Sequence, residues 1–297
     1  MLTGYLFAVL AMLSIGVLGV LSKLADVHRC KPLNTALVLF GGSAVIMGIY
    51  VVVGQQGSLI PPVAVGRTAI VFGALAILAF WVFLYGLQFG KITSSWIFMN
   101  MSAIVPATLS AVIYRERITA AKAVVLVLVV ISILLLWKDK QQDSAASTAA
   151  EPSRKNANVW IVAMLAAFLL NGTCPFGLRV LAGWGLADQY TAVYLVYWYL
   201  AGFVFGLAGL VSARHPLTTA NLLIGLVMAV ASVGGQFFMG AALSHGVPGS
   251  VVYMLGMGAS LCVVVLGGVL FFNERVGTYA KWGIATGLVS AVLLGIG

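Results

Sequence analysis

Charge is what this chain most lacks. Its 297 residues include 16 Lys and Arg, seven Asp and Glu and three His, so 8% are charged. A soluble globular chain carries about a quarter. With 62% hydrophobic residues and a mean hydropathy of +1.10, no soluble core could hide the apolar side chains, and the bilayer must be the solvent. Cysteine is scarce too. Cys30, Cys174 and Cys262 offer neither a disulfide framework nor a metal-ligand spacing, and read as small packing residues. His28, His215 and His245 stand apart in loops or at a helix end, so no catalytic set and no metal site is expected. That leaves an intramembrane acyl- or glycosyltransferase without its chemistry. No ATP-binding loop is present, so no cofactor is implied. The basic residues are scattered at helix ends, without the clustered stripe that nucleic acid requires. No basic region precedes the first apolar run, which argues against a cleaved signal peptide.

What is present is a series of apolar runs, at roughly 4–23, 33–53, 68–88, 92–114, 119–137, 158–178, 190–212, 220–242, 249–272 and 277–296. Each is about 20 residues long, which at about 1.5 Å per residue crosses a hydrocarbon core of about 30 Å. Backbone groups in lipid must be satisfied internally, and these runs lack the alternation of a barrel strand. The expected fold is therefore an all-α membrane protein with ten transmembrane helices.

The pattern occurs twice. At a separation of 156 residues the halves match at Gly16/Gly172, Thr35/Thr191, Leu87/Leu243, Gly90/Gly246, Ser94/Ser250 and Met101/Met257. The separation then becomes 158 and aligns Arg115-Glu116-Arg117 with Asn273-Glu274-Arg275. Five is an odd number of crossings, so the second copy must enter the membrane inverted, an architecture that alternating-access carriers use. The chain divides into a first five-helix repeat (1–137), a polar Ala/Ser-rich linker (138–157) and a second repeat (158–297).

At the fourth and fifth runs GKITSSWIFMNMSAIVPATLSAVIYRERITAAKAVVLVLVVISILLL combines a short Ser-rich opening, a proline inside the helix (Pro106) and a Glu-Arg pair before the next helix. The second copy keeps the serine opening and Glu274-Arg275 but has Cys262 where Pro106 would align. This resembles the repeat of the drug/metabolite transporter superfamily, EamA type. The resemblance implies a ten-helix carrier that moves small metabolites across the inner membrane of a bacterium.

Glu116 and Glu274 lie between consecutive helices beside Arg115, Arg117 and Arg275, where an ion pair and the following helix's dipole would hold a hairpin. All seven acidic residues fall in loops or at helix ends, so no carboxylate buried within a helix is expected to bind a lipophilic cation. That favours a neutral or anionic solute. Lys23 and Arg179 align at the ends of the first helix of each repeat, either snorkelling to the interface or attracting an anionic solute. Polar groups at mid-membrane depth are the other candidates: Asn100 with Trp96 one turn before it, Asn171, and Gln236 after Gly234-Gly235. For each, bonding between helices and contact with solute stand level. Tyr190, Tyr194, Tyr197 and Trp198 form one aromatic face, an interfacial belt or a stacking wall for a sugar or an aromatic or heterocyclic solute. Trp198 lies deeper than a belt needs, and Gly41-Gly42 stand where Tyr197-Trp198 would align.

The function expected is a secondary or facilitative transporter whose partners are a small-molecule solute and the lipid bilayer, with coupling ion and oligomeric state open. The competing class is a membrane scaffold or lipid-flippase subunit without transport. Orientation follows from charge. Loops after odd-numbered runs hold Lys23, Arg29, Lys31, Lys91, Lys138, Lys140, Arg154, Lys155, Arg214, Arg275 and Lys281, against Arg67, Arg115, Arg117, Lys122 and Arg179 after even-numbered ones. The positive-inside rule places the linker in the cytoplasm and both termini outside. A C-terminal reporter fusion should be active only on the outer side; cytoplasmic activity would reverse the assignment.

Overall fold

The computed structural model describes residues 2–54, 59–87, 99, 102–116, 154–213, 217–272 and 277–296, with scattered positions between 123 and 138. Every regular element among them is helical. In chain order these are α1 (Leu2–Val27), α2 (Pro32–Ile49), α3 (Val63–Leu87), α4 (Ile104–Ile113), α5 (Ala123–Ser132), α6 (Arg154–Thr173), α7 (Phe176–Gly183), α8 (Ala187–Ala213), α9 (Thr219–Ser244), α10 (Gly249–Tyr253), α11 (Ser260–Phe272) and α12 (Thr278–Ile296). Wider π-turns extend α2 through Tyr50–Gly54 and join α10 to α11 through Met254–Ala259. Seven spans among the described residues are long and apolar enough to cross a membrane; α4 and α5 are shorter apolar helices. The apolar surface agrees: Leu270 and Phe271 are both 74% exposed, which suits a lipid-facing wall and would be a liability in water.

Local chemistry sets the boundaries. Pro32 opens α2, where its fixed φ suits the first turn and its missing N–H costs nothing. Thr218 caps α9, its hydroxyl accepting from the Asn221 amide at 3.2 Å. Pro175 cannot donate to the ladder, so the sixth span breaks there into α6 and α7. The Pro175 carbonyl accepts from the Leu178 amide at 3.1 Å and from the Tyr253 hydroxyl at 3.0 Å. α6 begins at Arg154, four residues inside the stretch expected as linker.

α1 and α7 end alike. Arg29 (φ 53) and Gly185 (φ 71), 156 positions apart, are both left-handed. The Cys30 amide donates to Ala25 at 2.9 Å and the Leu186 amide to Leu181 at 3.1 Å, the six-residue closure of a Schellman cap. Just beyond, Thr35 bonds the Lys31 carbonyl and Thr191 the Ala187 carbonyl, again at matching positions.

Helices of the first half pack chiefly on those of the second. α1 lies on α9 and α3 on α6; α2 lies on α9 and α3 on α8; α2 lies against α8 and α4 against α10. The first four pairings form two couples that interchange when the halves are exchanged, and the last two map onto themselves. Cross-half bonds pin the contacts. The Asn221 amide donates to Thr35 Oγ1 at 2.8 Å and the Lys31 carbonyl at 3.2 Å, and Ser43 donates to the Ala229 carbonyl at 3.3 Å.

Close approach of α3 to α8 depends on Gly73, where a Cβ would run into the Trp198 carbonyl oxygen and come within 3.0 Å of its carbon. A Cβ at Gly48, in contrast, would meet nothing within 4 Å. Gly73→Leu should destabilise by about 1–3 kcal/mol through overpacking. Gly48→Ala should stabilise by about 0.5–1 kcal/mol through the lost flexibility of the unfolded chain. Thermal unfolding in detergent would show melting points shifted in opposite directions.

Candidate functional site

A cavity of about 260 Å³ opens between the halves. α1, α2 and α3 supply Ile15, Leu18, Gly19, Ser22, Leu39, Phe40, Ala76 and Phe80, with Met99 beside them. The second half supplies Asn171, Cys174, Pro175, Trp198, Met228, Ser232, Gln236 and Met257, the last from the π-turn. The Pro175 break and the π-turn thus both face this space, and such helix irregularities often mark functional positions. None of the described lining residues carries a charge.

The lining is paired in register. Residues 156 positions apart face the cavity together as Ile15/Asn171, Leu18/Cys174, Gly19/Pro175, Ala76/Ser232 and Phe80/Gln236. In every pair but Gly19/Pro175 the first half contributes an apolar side chain and the second half a polar one. Most of these polar groups are already engaged. The Asn171 amide donates to Ser102 Oγ at 2.7 Å and to the Met99 carbonyl at 3.3 Å. Ser232 and the Tyr199 hydroxyl lie 2.8 Å apart, and the Cys174 thiol bonds the Leu170 carbonyl at 2.9 Å. On the apolar side Ser22 turns back to the Leu18 carbonyl. The Gln236 side chain makes no hydrogen bond to any described residue.

A second polar cluster joins the halves around Glu116. Glu116 lies just past the end of α4, at a helix end as the sequence places it, yet its side chain is only 5% exposed. Oε1 accepts from Ser110 Oγ at 2.6 Å, the Gly249 amide at 2.7 Å and Arg179 Nε at 3.1 Å. Oε2 accepts from the Ser250 hydroxyl at 2.7 Å and its amide at 3.0 Å. The carboxylate therefore caps the N-terminus of α10, in the other half of the chain, where helix amides and dipole favour an anion. Arg179 also bonds Ser110 Oγ at 2.9 Å and stacks 3.9 Å above the Tyr114 ring. Gly249 is required for the approach, since a Cβ would collide with Ser110 Oγ and come within 2.9 Å of Arg179 Cδ. Burial pushes the Glu116 carboxyl upward, but the bonds from Ser110, Ser250 and Gly249 outweigh it and hold the pKa below the ordinary glutamate value.

These contacts sort the residues expected from sequence. Arg179 serves Glu116 and does not line the cavity, while the Lys23 ammonium lies 4.9 Å from the Phe272 ring centroid. The Glu116 partners are Arg179, Ser110, Gly249 and Ser250, whereas its neighbour Arg115 is exposed with left-handed backbone. Asn171 bonds across to Ser102 and also lines the cavity. Trp198 lines the cavity with its ring 5.6 Å from Phe40 and 4.8 Å from Tyr199, and Gln236 faces it from α9. Tyr194 is a core residue, 1% exposed, its hydroxyl packed over Gly177. Trp96, Asn100, Arg117, Glu274 and Arg275 lie outside the described residues. Sequence reading missed Phe40, Phe80, Ser110 and Ser232 as contributors. Ser232 stands one turn before Gln236, and that i, i+4 spacing was the available signal.

Residues 2–138 match the model of the EamA-like transporter family. These residues belong to that family. Its members are transporters, and this match together with the apolar spans supports a multi-pass membrane protein of the drug/metabolite transporter type. No curated protein matches the sequence. Among 27 matching solved chains is one described only as "Crystal structure of protein". It aligns over 97% of this chain and 96% of its own with a TM-score of 0.73 at 16% identity, which shows a shared fold.

Removing Arg179 would leave Glu116 buried without its counter-charge. Arg179→Ala should cost about 3 kcal/mol, the lower end for breaking a buried pair, because four other hydrogen bonds to the carboxylate remain. The pH dependence has a fixed sign. Glu116 titrates lower folded than unfolded, so its stabilisation is complete above its unfolded pKa of about 4.3 and is lost as pH falls through the lowered folded value. Thermal scans should show an acid-sensitive component in the wild type that Glu116→Gln lacks.

Proposed function

We propose that the chain is a ten-helix, inverted-repeat carrier that moves a small neutral or anionic metabolite across the bacterial inner membrane by alternating access. The observation that carries this reading is the cavity, built from both halves by residues in matching register. Three further observations support the repeat. Helix pairings interchange when the halves are exchanged, α1 and α7 close with a left-handed residue at matching positions, and the cation–aromatic contacts correspond. Arg179 over Tyr114 and Lys23 over Phe272 are related by separations of 156 and 158. In an inverted arrangement these contacts fall at opposite faces of the membrane. Trp198 and Gln236 are the residues assigned to the solute; Lys23 and Arg179 are assigned to the frame.

Glu116 is a poor proton carrier. Its five hydrogen bonds stabilise the charged form, whereas a carrier of protons needs a carboxylate whose pKa is raised toward neutrality. Movement down the solute's own gradient, or coupling through another ion, fits the structure better.

The test is reconstitution of the full chain into liposomes loaded with a metabolite mixture, beside a comparison of metabolite pools between a deletion strain and an overexpressing one. At least one neutral or anionic solute should cross, with Trp198→Ala slowing it about tenfold, the scale of a lost aromatic contact of about 1 kcal/mol or more. Pools and vesicle contents that change for no solute would leave the scaffold or flippase-subunit reading in its place.

A further inference from the structure

The cavity has two unlike walls, and their chemistry names a class of solute. We propose that the solute is an uncharged planar ring compound bearing a neutral amide-like edge, with its ring against the aromatic side of the cavity and its edge on Gln236. This inference rests on the carrier reading above and goes beyond it in excluding anions.

The exclusion of charge comes from the lining. No described lining residue is Asp, Glu, Lys, Arg or His; Arg179 is bound by Glu116, Ser110 and the Tyr114 ring, and Lys23, next to the lining Ser22, sits over the Phe272 ring. An ion entering this space would shed water without gaining a counter-charge from any described lining residue, which is strongly unfavourable.

The ring is called for by Phe40, Phe80 and Trp198, with Met99, Met228 and Met257 between them. Thioethers are polarizable and pack well against aromatic edges. A sugar fits badly, because its many hydroxyls would find most of the cavity's polar groups engaged. Ser22, Cys174 and Ser232 have partners, and both amide hydrogens of Asn171 are used.

Gln236 supplies the edge. It is half-buried, lines the cavity and has no described hydrogen-bond partner. A primary carboxamide presents an acceptor oxygen beside donor hydrogens, which matches a lactam, a carboxamide or the adjacent donor and acceptor of a heterocycle, bonded bidentately. The counterpart of Gln236 in the first half is Phe80, so one pair of matching positions offers a hydrogen-bonding group from one wall and a ring from the other.

The test uses benzamide, benzoate and benzamidine, which share one ring and nearly one shape but are neutral, anionic and cationic, with nicotinamide as a heterocyclic neutral probe. Binding is measured by calorimetry on the purified full chain, and uptake in proteoliposomes. Benzamide and nicotinamide should bind at least tenfold tighter than benzoate or benzamidine. Gln236→Leu should weaken both neutral probes about tenfold or more, with unchanged thermal stability as the folding control. Gln236→Glu should reverse the preference toward benzamidine. Benzoate binding as tightly as benzamide would overturn the neutral class, and neutral binding indifferent to Gln236→Leu would overturn the edge assignment. If no ring compound binds while other metabolites cross the same vesicles, this inference falls and the carrier stands. If nothing crosses, the carrier reading falls first.

Discussion

A carboxylate taken out of water must be compensated on the spot, and Glu116 is compensated by one near neighbour and by two segments distant in sequence. Ser110 comes from α4 just before it, Arg179 from α7, and Gly249 and Ser250 from the start of α10. Each bond is ordinary, but together they place α7 and α10 on the end of α4. α7 follows Pro175 and α10 leads into the π-turn, and both irregularities line the cavity. The polar cluster therefore governs how the cavity's second-half wall is presented, although Glu116 itself does not line it.

The same economy runs through the interior. Lipid offers no driving force for one apolar helix to join another, so association depends on close packing and on hydrogen bonds between helices. Glycine provides the first where α3 meets α8 at Gly73, and Asn221, Ser43 and Asn171 provide the second. Nearly all of these contacts bridge the two halves, so neither half is an independent unit. The space left between them has matching positions facing each other.

Hydropathy made the spans legible, because each must match the thickness of the bilayer, and Pro175 announced the break between α6 and α7. The start of α6 did not show, since Arg154-Lys155-Asn156-Ala157 looks like linker by composition yet continues the helix. Trp198 and Gln236 could be picked out because a deep indole and a mid-span amide are costly unless they face a cavity or a partner. Tyr194 passed the same filter and is core, for periodicity does not say which part of a face is packed. Arg179 aligns with Lys23 in the sequence, but its partner could not be named from it. Sequence shows Glu116 only its neighbours Arg115 and Arg117, while the fold brings a guanidinium from 63 positions away. Buried ion pairs across a repeat interface leave no local trace.

The division of polarity between matched positions has a consequence for how such a protein can change. Because the hydrogen-bonding groups at Asn171, Ser232 and Gln236 come from one half and Ile15, Ala76 and Phe80 from the other, a substitution at one member of a matched pair changes the apolar or the polar side of that pair alone. Trp198 crosses the division, adding a ring from the half that also supplies the hydrogen-bonding groups. Asn171 is doubly constrained, since its amide also holds Ser102 of the other half, so Gln236 is the polar position freest to be retuned.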